Sequence, residues 1–323
     1  SRGTAAVLEE EDMNTTLLRR TVAGATALAL GLTGALVSVQ AASADAALVA
    51  HYPLSETAGT IAADVSGNNR NGTYVGSPAL TGGEGVTLDG QDDYVDLPDN
   101  ILAGLTSITV SAEVLVRPSQ SGAYFIYGFG NTDAGGVGNG YLYSTGNTYK
   151  TSIATGNWST EQTANSNANL TRGVWKTITY TLDDATNTAR VYLDGVQVAQ
   201  NTNVTITPGS IGGGTTTANY LGRSVYTQDP NLSGSLRDVR IYDAALTAPQ
   251  VAALHPSDAV KVQRDTAALS LGDLSGVTAN LTLPATALNG SALTWSSSAP
   301  AVVSNSGVVT RPAAGQQAAT ATL

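Results

Sequence analysis

Strict apolar/polar alternation over Ile108–Val116 constrains this chain more than any other feature. Ile108, Val110, Ala112, Val114 and Val116 fall on one face of an extended segment, and Thr109, Ser111 and Glu113 on the other. A period of two residues belongs to a strand, so the segment is expected to bury one side in a core and leave the other in water. Similar signals recur at short intervals, bounded by Gly, Asn, Asp or Pro. They are Leu48–Leu54, Gly85–Leu88, Tyr94–Leu97, Trp175–Leu182, Ala189–Leu193, Val196–Gln200 and Leu236–Tyr242. Trp175–Leu182 and Ala189–Leu193 read as a hairpin, and Asp194-Gly195 as the next tight turn. Thr247–Leu254 reads as a short amphipathic helix with Thr247 at its N-cap. Many strands with one short helix predict an all-β fold, a two-sheet antiparallel jelly-roll sandwich.

Composition narrows the function classes. The 323 residues carry a formal charge of −10, with only three lysines, Lys150, Lys176 and Lys261. Nucleic-acid binding needs a basic stripe that displaces counterions, and none is present. The absence of cysteine removes disulfides, thiolate–zinc sites and thiol nucleophiles. Residues 1–46 read as an address. Arg19 and Arg20 precede the apolar run Val22–Val39, and Ala44-Asp45-Ala46 is a small-residue cleavage site. Cleavage after Ala46 predicts a secreted protein starting at Ala47, with no membrane attachment after processing and a monomeric state.

Several segments together resemble the bacterial laminin G-like, concanavalin A-like jelly roll. They are LVAHYPLSE, DVSGNNRNG, LDGQDDYVDLP, GVWKTITYTLD with ARVYLDGVQV, and YLGRS followed by LSGSLRDVRIYDAALTAPQVAAL. The resemblance covers about residues 47–255. Residues 256–323, with LTWSSSAPAVVSNSGVVTRP, resemble a bacterial immunoglobulin-like domain that ends mid-strand. That domain is expected to be a partial β-sandwich with strands at Val260–Arg264, Leu269–Leu271, Ala279–Leu283, Ala292–Trp295 and Gly307–Thr310. Trp295 is expected in its core and Asn305-Ser306-Gly307 in a turn. The pair of domains resembles the leader region of secreted glycoside hydrolases acting on arabinose- or xylose-containing polysaccharides, which implies a catalytic domain missing from this chain.

Two kinds of site are legible. Tyr124, Tyr127, Tyr143, Tyr149 and Trp158 are interleaved with Asn and Gly, a composition suited to stacking on sugar faces and bonding hydroxyls. Trp158, in the turn-like GNWSTE, discriminates a carbohydrate-binding module from a spacer or adhesion module without a sugar ligand. Asp64-Val65-Ser66-Gly67-Asn68-Asn69 offers hard oxygens for a structural Ca2+, with Asp64 and Asn68 as ligands, or else a plain Asx turn. The laminin G-like resemblance implies Asp238 as a further calcium ligand. Arg237 and Arg240 read as surface or strand-pair charges. No catalytic residues are expected. Glu56, Glu84, Glu113 and Glu161 are isolated along the chain, without the paired carboxylates that glycoside hydrolysis needs.

Overall fold

The computed structural model of the chain describes residues 46–323. The address segment, with its apolar run at Val22–Val39, lies outside the described residues apart from Ala46. Two eight-stranded antiparallel sheets pack face to face as a jelly-roll-like sandwich. The first sheet runs Val196–Asn201, Thr188–Leu193, Trp175–Asp183, Ile108–Val116, Ser233–Tyr242, Val86–Asp89 and Ala79–Leu80, with Leu48–Tyr52 also paired to Ser233–Tyr242. The second runs Gln162–Asn165, Lys150–Ala154, Gly138–Thr145, Phe125–Thr132, Ala218–Leu221, Tyr94–Asp96, Gly72–Val75 and Ile61–Ala62. The inward residues of both sheets form one core, in which Val110, Val114, Ile178, Leu236 and Ile241 face Phe129, Leu142, Ile153 and Leu221. Burying side chains of this size contributes about 1.5–3 kcal/mol each relative to exposure. The expected hairpin holds: Ile178 pairs with Leu193 and Asp183 with Thr188. Asn187, Asp194 and Gly195 take the positive φ angles that the two turns require.

The strand Ile108–Val116 departs from its expected one-sided burial. Its polar face is buried too, with Thr109, Ser111 and Glu113 all at 3% exposure or less. Two short helices and the C-terminal segment cover it. Helix α1 (Ala248–Leu254) begins after Thr247, whose N–H and hydroxyl both donate to Gln250 Oε1 at 2.8 Å. Just before it, Thr109 Oγ1 donates to the carbonyl of Ala244 at 2.7 Å and accepts the N–H of Leu246.

Helix α2 (Asp258–Ala268) replaces the strand expected at Val260–Arg264. Ser257 caps it by accepting the Val260 N–H, and Asp258 pairs with Lys261 one turn on. From α2, Arg264 reaches Glu113 Oε2 at 2.8 Å, which also accepts Arg237 Nε at 2.8 Å. Arg237 is therefore a strand-pair charge rather than a surface one, lying opposite Glu113 in the sheet. It is buried, lies 3.9 Å from the Trp175 ring centroid, and donates to Asn289 Oδ1. Asn289 in turn donates twice to Asp265 of α2. A network running Arg264–Glu113–Arg237–Asn289–Asp265 thus joins sandwich, helix and C-terminal segment.

Beyond α2 the chain is extended and loop-rich rather than stranded. The expected sandwich strands are reduced to two isolated bridges, Thr286 with Ala292 and Val303 with Val309. Trp295 is half-buried, its indole donating to the Pro284 carbonyl at 2.8 Å. The turn at Asn305-Ser306-Gly307 is present, with Gly307 at φ +85° and its N–H on the Ser304 carbonyl. Among the described residues no helix is long and apolar enough to cross a membrane.

Candidate glycan-binding face

The five aromatic residues expected to form one strip are divided by the structure. Tyr124, Tyr127 and Tyr149 lie in the core between the sheets, at 2% exposure or less. Such rings cannot meet a sugar. A bulge explains Tyr127: Phe125 pairs with Thr145 but Tyr127 with Ser144, so Ile126 is an extra residue and both it and Tyr127 turn inward. Tyr149 donates to the Tyr192 carbonyl at 2.8 Å across the core. Tyr143 does face outward from the second sheet, beside Tyr141, but both are buried there in a small second cluster with Phe125, Tyr220, Val225 and Tyr226.

Two loops cover that cluster. From the first, Glu161 accepts the hydroxyls of Tyr141 at 2.9 Å and Tyr143 at 3.1 Å. Burial raises both phenols well above the ordinary tyrosine value, and the Glu161 carboxylate adds to it. From the second, Tyr226 stands edge-on to Tyr141 and accepts the Trp158 N–H at 2.8 Å. Asn157 caps the single turn that carries Trp158 by accepting the Ser159 N–H. The Trp158 ring is thereby left 71% exposed on a braced loop. Of the five aromatic candidates it alone is open to a ligand.

The same face carries residues that the sequence pattern did not single out. Tyr94 and Tyr220 are half-buried, 5.2 Å apart, and both contact the Arg223 guanidinium. Asp229 accepts the Ser224 hydroxyl at 2.6 Å. Burial is the main cause that raises its carboxyl pKa, with Glu161 adding to it. An open basin of about 560 Å3 is lined by Asn131, Asn139, Thr155, Ser210, Gly212, Gly213 and Thr215. Its amides and hydroxyls suit hydroxyl-rich ligands.

The expected calcium ligands Asp64, Asn68 and Asp238 all make hydrogen bonds within the protein. Asp64 Oδ1 accepts the N–H groups of His51 and Ser66, and Oδ2 accepts the Ser66 hydroxyl and the Arg70 N–H, all at 2.9 Å. Four donors fill the four lone-pair positions of the carboxylate, the pattern of an Asx turn. The Asn68 amide donates to the carbonyls of Leu48 and Val49. Asp238 Oδ1 lies 2.7 Å from His51 Nε2 and 2.8 Å from Arg240 Nε. His51 therefore ties the N-terminal turn to the last strand, through its backbone to Asp64 and its ring to Asp238. A different group, Asp89, Asp92 and Asp93, brings one carboxylate oxygen of each within 4.8 Å and could hold a metal ion. Since Asp64 has no lone pair to spare, chelator is expected to leave the melting temperature unchanged. A fall would point to an ion at Asp89, Asp92 and Asp93.

This geometry gives an acid-stability prediction. Burial opposes ionisation of Asp64, but the bonds from His51, Arg70 and Ser66 outweigh it and hold the carboxyl below its ordinary 3.8. Burial likewise opposes ionisation of Asp238, and His51 and Arg240 outweigh it. A depressed folded pKa contributes stability above the unfolded value, and that contribution is lost as pH falls through the folded one. The melting temperature is expected to drop below about pH 3.8, less steeply in Asp64→Asn, as thermal melts across pH 2–5 would show.

Residues 89–252 match the family model of the concanavalin A-like lectin/glucanases superfamily. The chain belongs to that superfamily. Residues 262–323 match the atrophied bacterial Ig domain, in keeping with a C-terminal segment that retains bridges but no sheet. An α-L-arabinofuranosidase of Bifidobacterium longum subsp. longum is 29% identical over 253 residues, 74% of this chain and 23% of the relative. The chain thus spans about a quarter of that relative's length. Among solved structures, domain 4 of AbnA, a GH43 extracellular arabinanase from Geobacillus stearothermophilus in complex with arabinotriose, is similar with a TM-score of 0.52 and 24% identity. The match covers 65% of this chain and 99% of that domain, and at this identity it speaks for the superfamily fold alone.

Proposed function

We propose that residues 47–255 form a carbohydrate-binding module that docks polysaccharide on the outer face of the second sheet and catalyses nothing. We further propose that it serves as an exported accessory part of a longer polysaccharide-degrading glycoside hydrolase, with residues 13–46 as the export signal. The observation that carries the reading is Trp158, an exposed indole on a loop braced by Tyr226 and Asn157. Exposing so large an apolar ring has no use in the fold itself, whereas its face can stack on a sugar ring while neighbouring Asn, Thr and Asp groups bond hydroxyls. The arabinofuranosidase relative supports an arabinose-containing glycan as the ligand.

A spacer role is favoured by one observation: the tyrosines beneath Trp158 are roofed by Glu161 and Tyr226 rather than open. Affinity electrophoresis decides between them. The chain is expected to be retarded in gels containing arabinan, with weaker retardation in xylan and galactan, at micromolar to millimolar affinity, about 4–8 kcal/mol. Migration identical in every gel would establish the spacer. Release of reducing sugar would overturn the non-catalytic half and turn attention to Glu161 and Asp229.

A further inference from the structure

Arg223 is held in an unusual way. Its guanidinium carbon lies 4.6 Å from the Tyr94 ring centroid and 4.9 Å from that of Tyr220. Among the described residues no carboxylate lies within 4.0 Å of it, and no hydrogen-bond acceptor is engaged by its side chain. Cation–π contact uses the flat faces of the guanidinium and leaves the N–H donors around its edge free. The two rings thus fix a planar fork of unspent donors.

That fork lines a pocket of about 290 Å3, with Tyr94, Asp92, Asp229 and Asn231 among its walls. The size is at the low end for small-molecule sites, about 300 Å3, which suits one sugar residue rather than a chain segment. Asp229 spends Oδ2 on Ser224, and among the described residues Oδ1 has no donor. The pocket therefore sets a free carboxylate acceptor and a free guanidinium donor on one small cavity, without pairing them to each other.

Charge narrows the ligand. Asp92 and Asp229 line the pocket beside Arg223. One arginine between two carboxylates leaves the local sign negative, which repels uronates, sulfates and phosphates. A neutral sugar meets no such penalty. Of two adjacent hydroxyls, one can donate a hydrogen bond to Asp229 Oδ1 and the other accept one from Arg223, while Tyr94 offers an apolar wall to the ring.

Resting on the binding reading above, we propose that Arg223 and Asp229 form a subsite that selects one neutral sugar residue by a pair of adjacent hydroxyls. Trp158 then supplies a separate stacking contact on the same face. The test is affinity electrophoresis of the full chain and of Arg223→Lys, Asp229→Asn and Trp158→Ala in arabinan and in polygalacturonan. Lysine keeps the charge but not the planar fork, and asparagine keeps the shape but not the charge, so neither should unfold the domain; equal melting temperatures check this. Each is expected to weaken arabinan retention about tenfold or more, as loss of a charge-assisted bond does. Polygalacturonan is expected to retard none of them. If Trp158→Ala alone loses retention, the arginine clamp is structural and the subsite is refuted while the binding face stands. Preferential retention by polygalacturonan would refute the neutral-sugar selection. A wild type retarded by neither gel would bring down the face and the subsite together.

Discussion

Glu113→Ala is expected to destabilise the folded chain by about 3–5 kcal/mol, the usual loss when one partner of a buried ion pair is removed. Glu113 is 3% exposed and accepts from Arg237 and Arg264. Burial already pulls the Arg237 pKa down, and Glu113 is the main group opposing that. Without Glu113 the Arg237 guanidinium keeps only Asn289 and, at 3.6 Å, the partly exposed Glu84 as polar partners. The loss should also free the C-terminal segment, since Arg264 and Asn289 hold it through this network. Denaturant titration together with limited proteolysis would measure both. Arg264→Ala is the control: its side chain is 29% exposed, so its loss should cost far less. A Glu113→Ala protein as stable as the wild type, with unchanged cleavage beyond residue 257, would show that the network is decorative.

Trp158→Ala is expected to reduce arabinan affinity about tenfold or more, about 1.4 kcal/mol or above, with no change in melting temperature. The ring is 71% exposed and has little packing to lose. Its loop is braced through backbone and Asn157 contacts that the substitution leaves in place. A drop in melting temperature comparable to that of a core truncation would mean that the indole is a structural anchor.

The sandwich was legible because its strands announce themselves by period-two alternation and turn residues, as in Ile108–Val116 and the Trp175–Val198 hairpin. The burial of the polar face of Ile108–Val116 was not, because Thr109 and Glu113 look solvent-facing until residues more than 130 positions away, Ala244 and Arg264, bond to them. The α2 helix had a local signal that β-branched residues masked: Ser257 and Asp258 at a helix start, with Lys261 three residues on. The aromatic strip failed on parity. A one-residue bulge at Ile126 sends Tyr127 to the core, where unbroken alternation would have kept it on the Phe125 side. Trp158 was legible because a turn tryptophan flanked by Asn, Gly and Ser has no strand to bury it. Arg223, Tyr226 and Asp229 lie on an irregular loop and show no period. Only the YLGRS segment, whose resemblance to the family was evident, marked part of that loop.

Sugar is expected to meet the outer face at Trp158. The chain has three tryptophans, so its indole N–H spectrum should contain three signals, of which Trp175 is buried and Trp295 half-buried beside Pro284. Titration of the 15N-labelled chain with arabinotriose is predicted to move the Trp158 signal, assigned by its absence in Trp158→Ala, and to leave the other two in place. A Trp158 signal that stays fixed at saturating sugar, or a shift confined to Trp175 or Trp295, would show that sugar does not bind at Trp158.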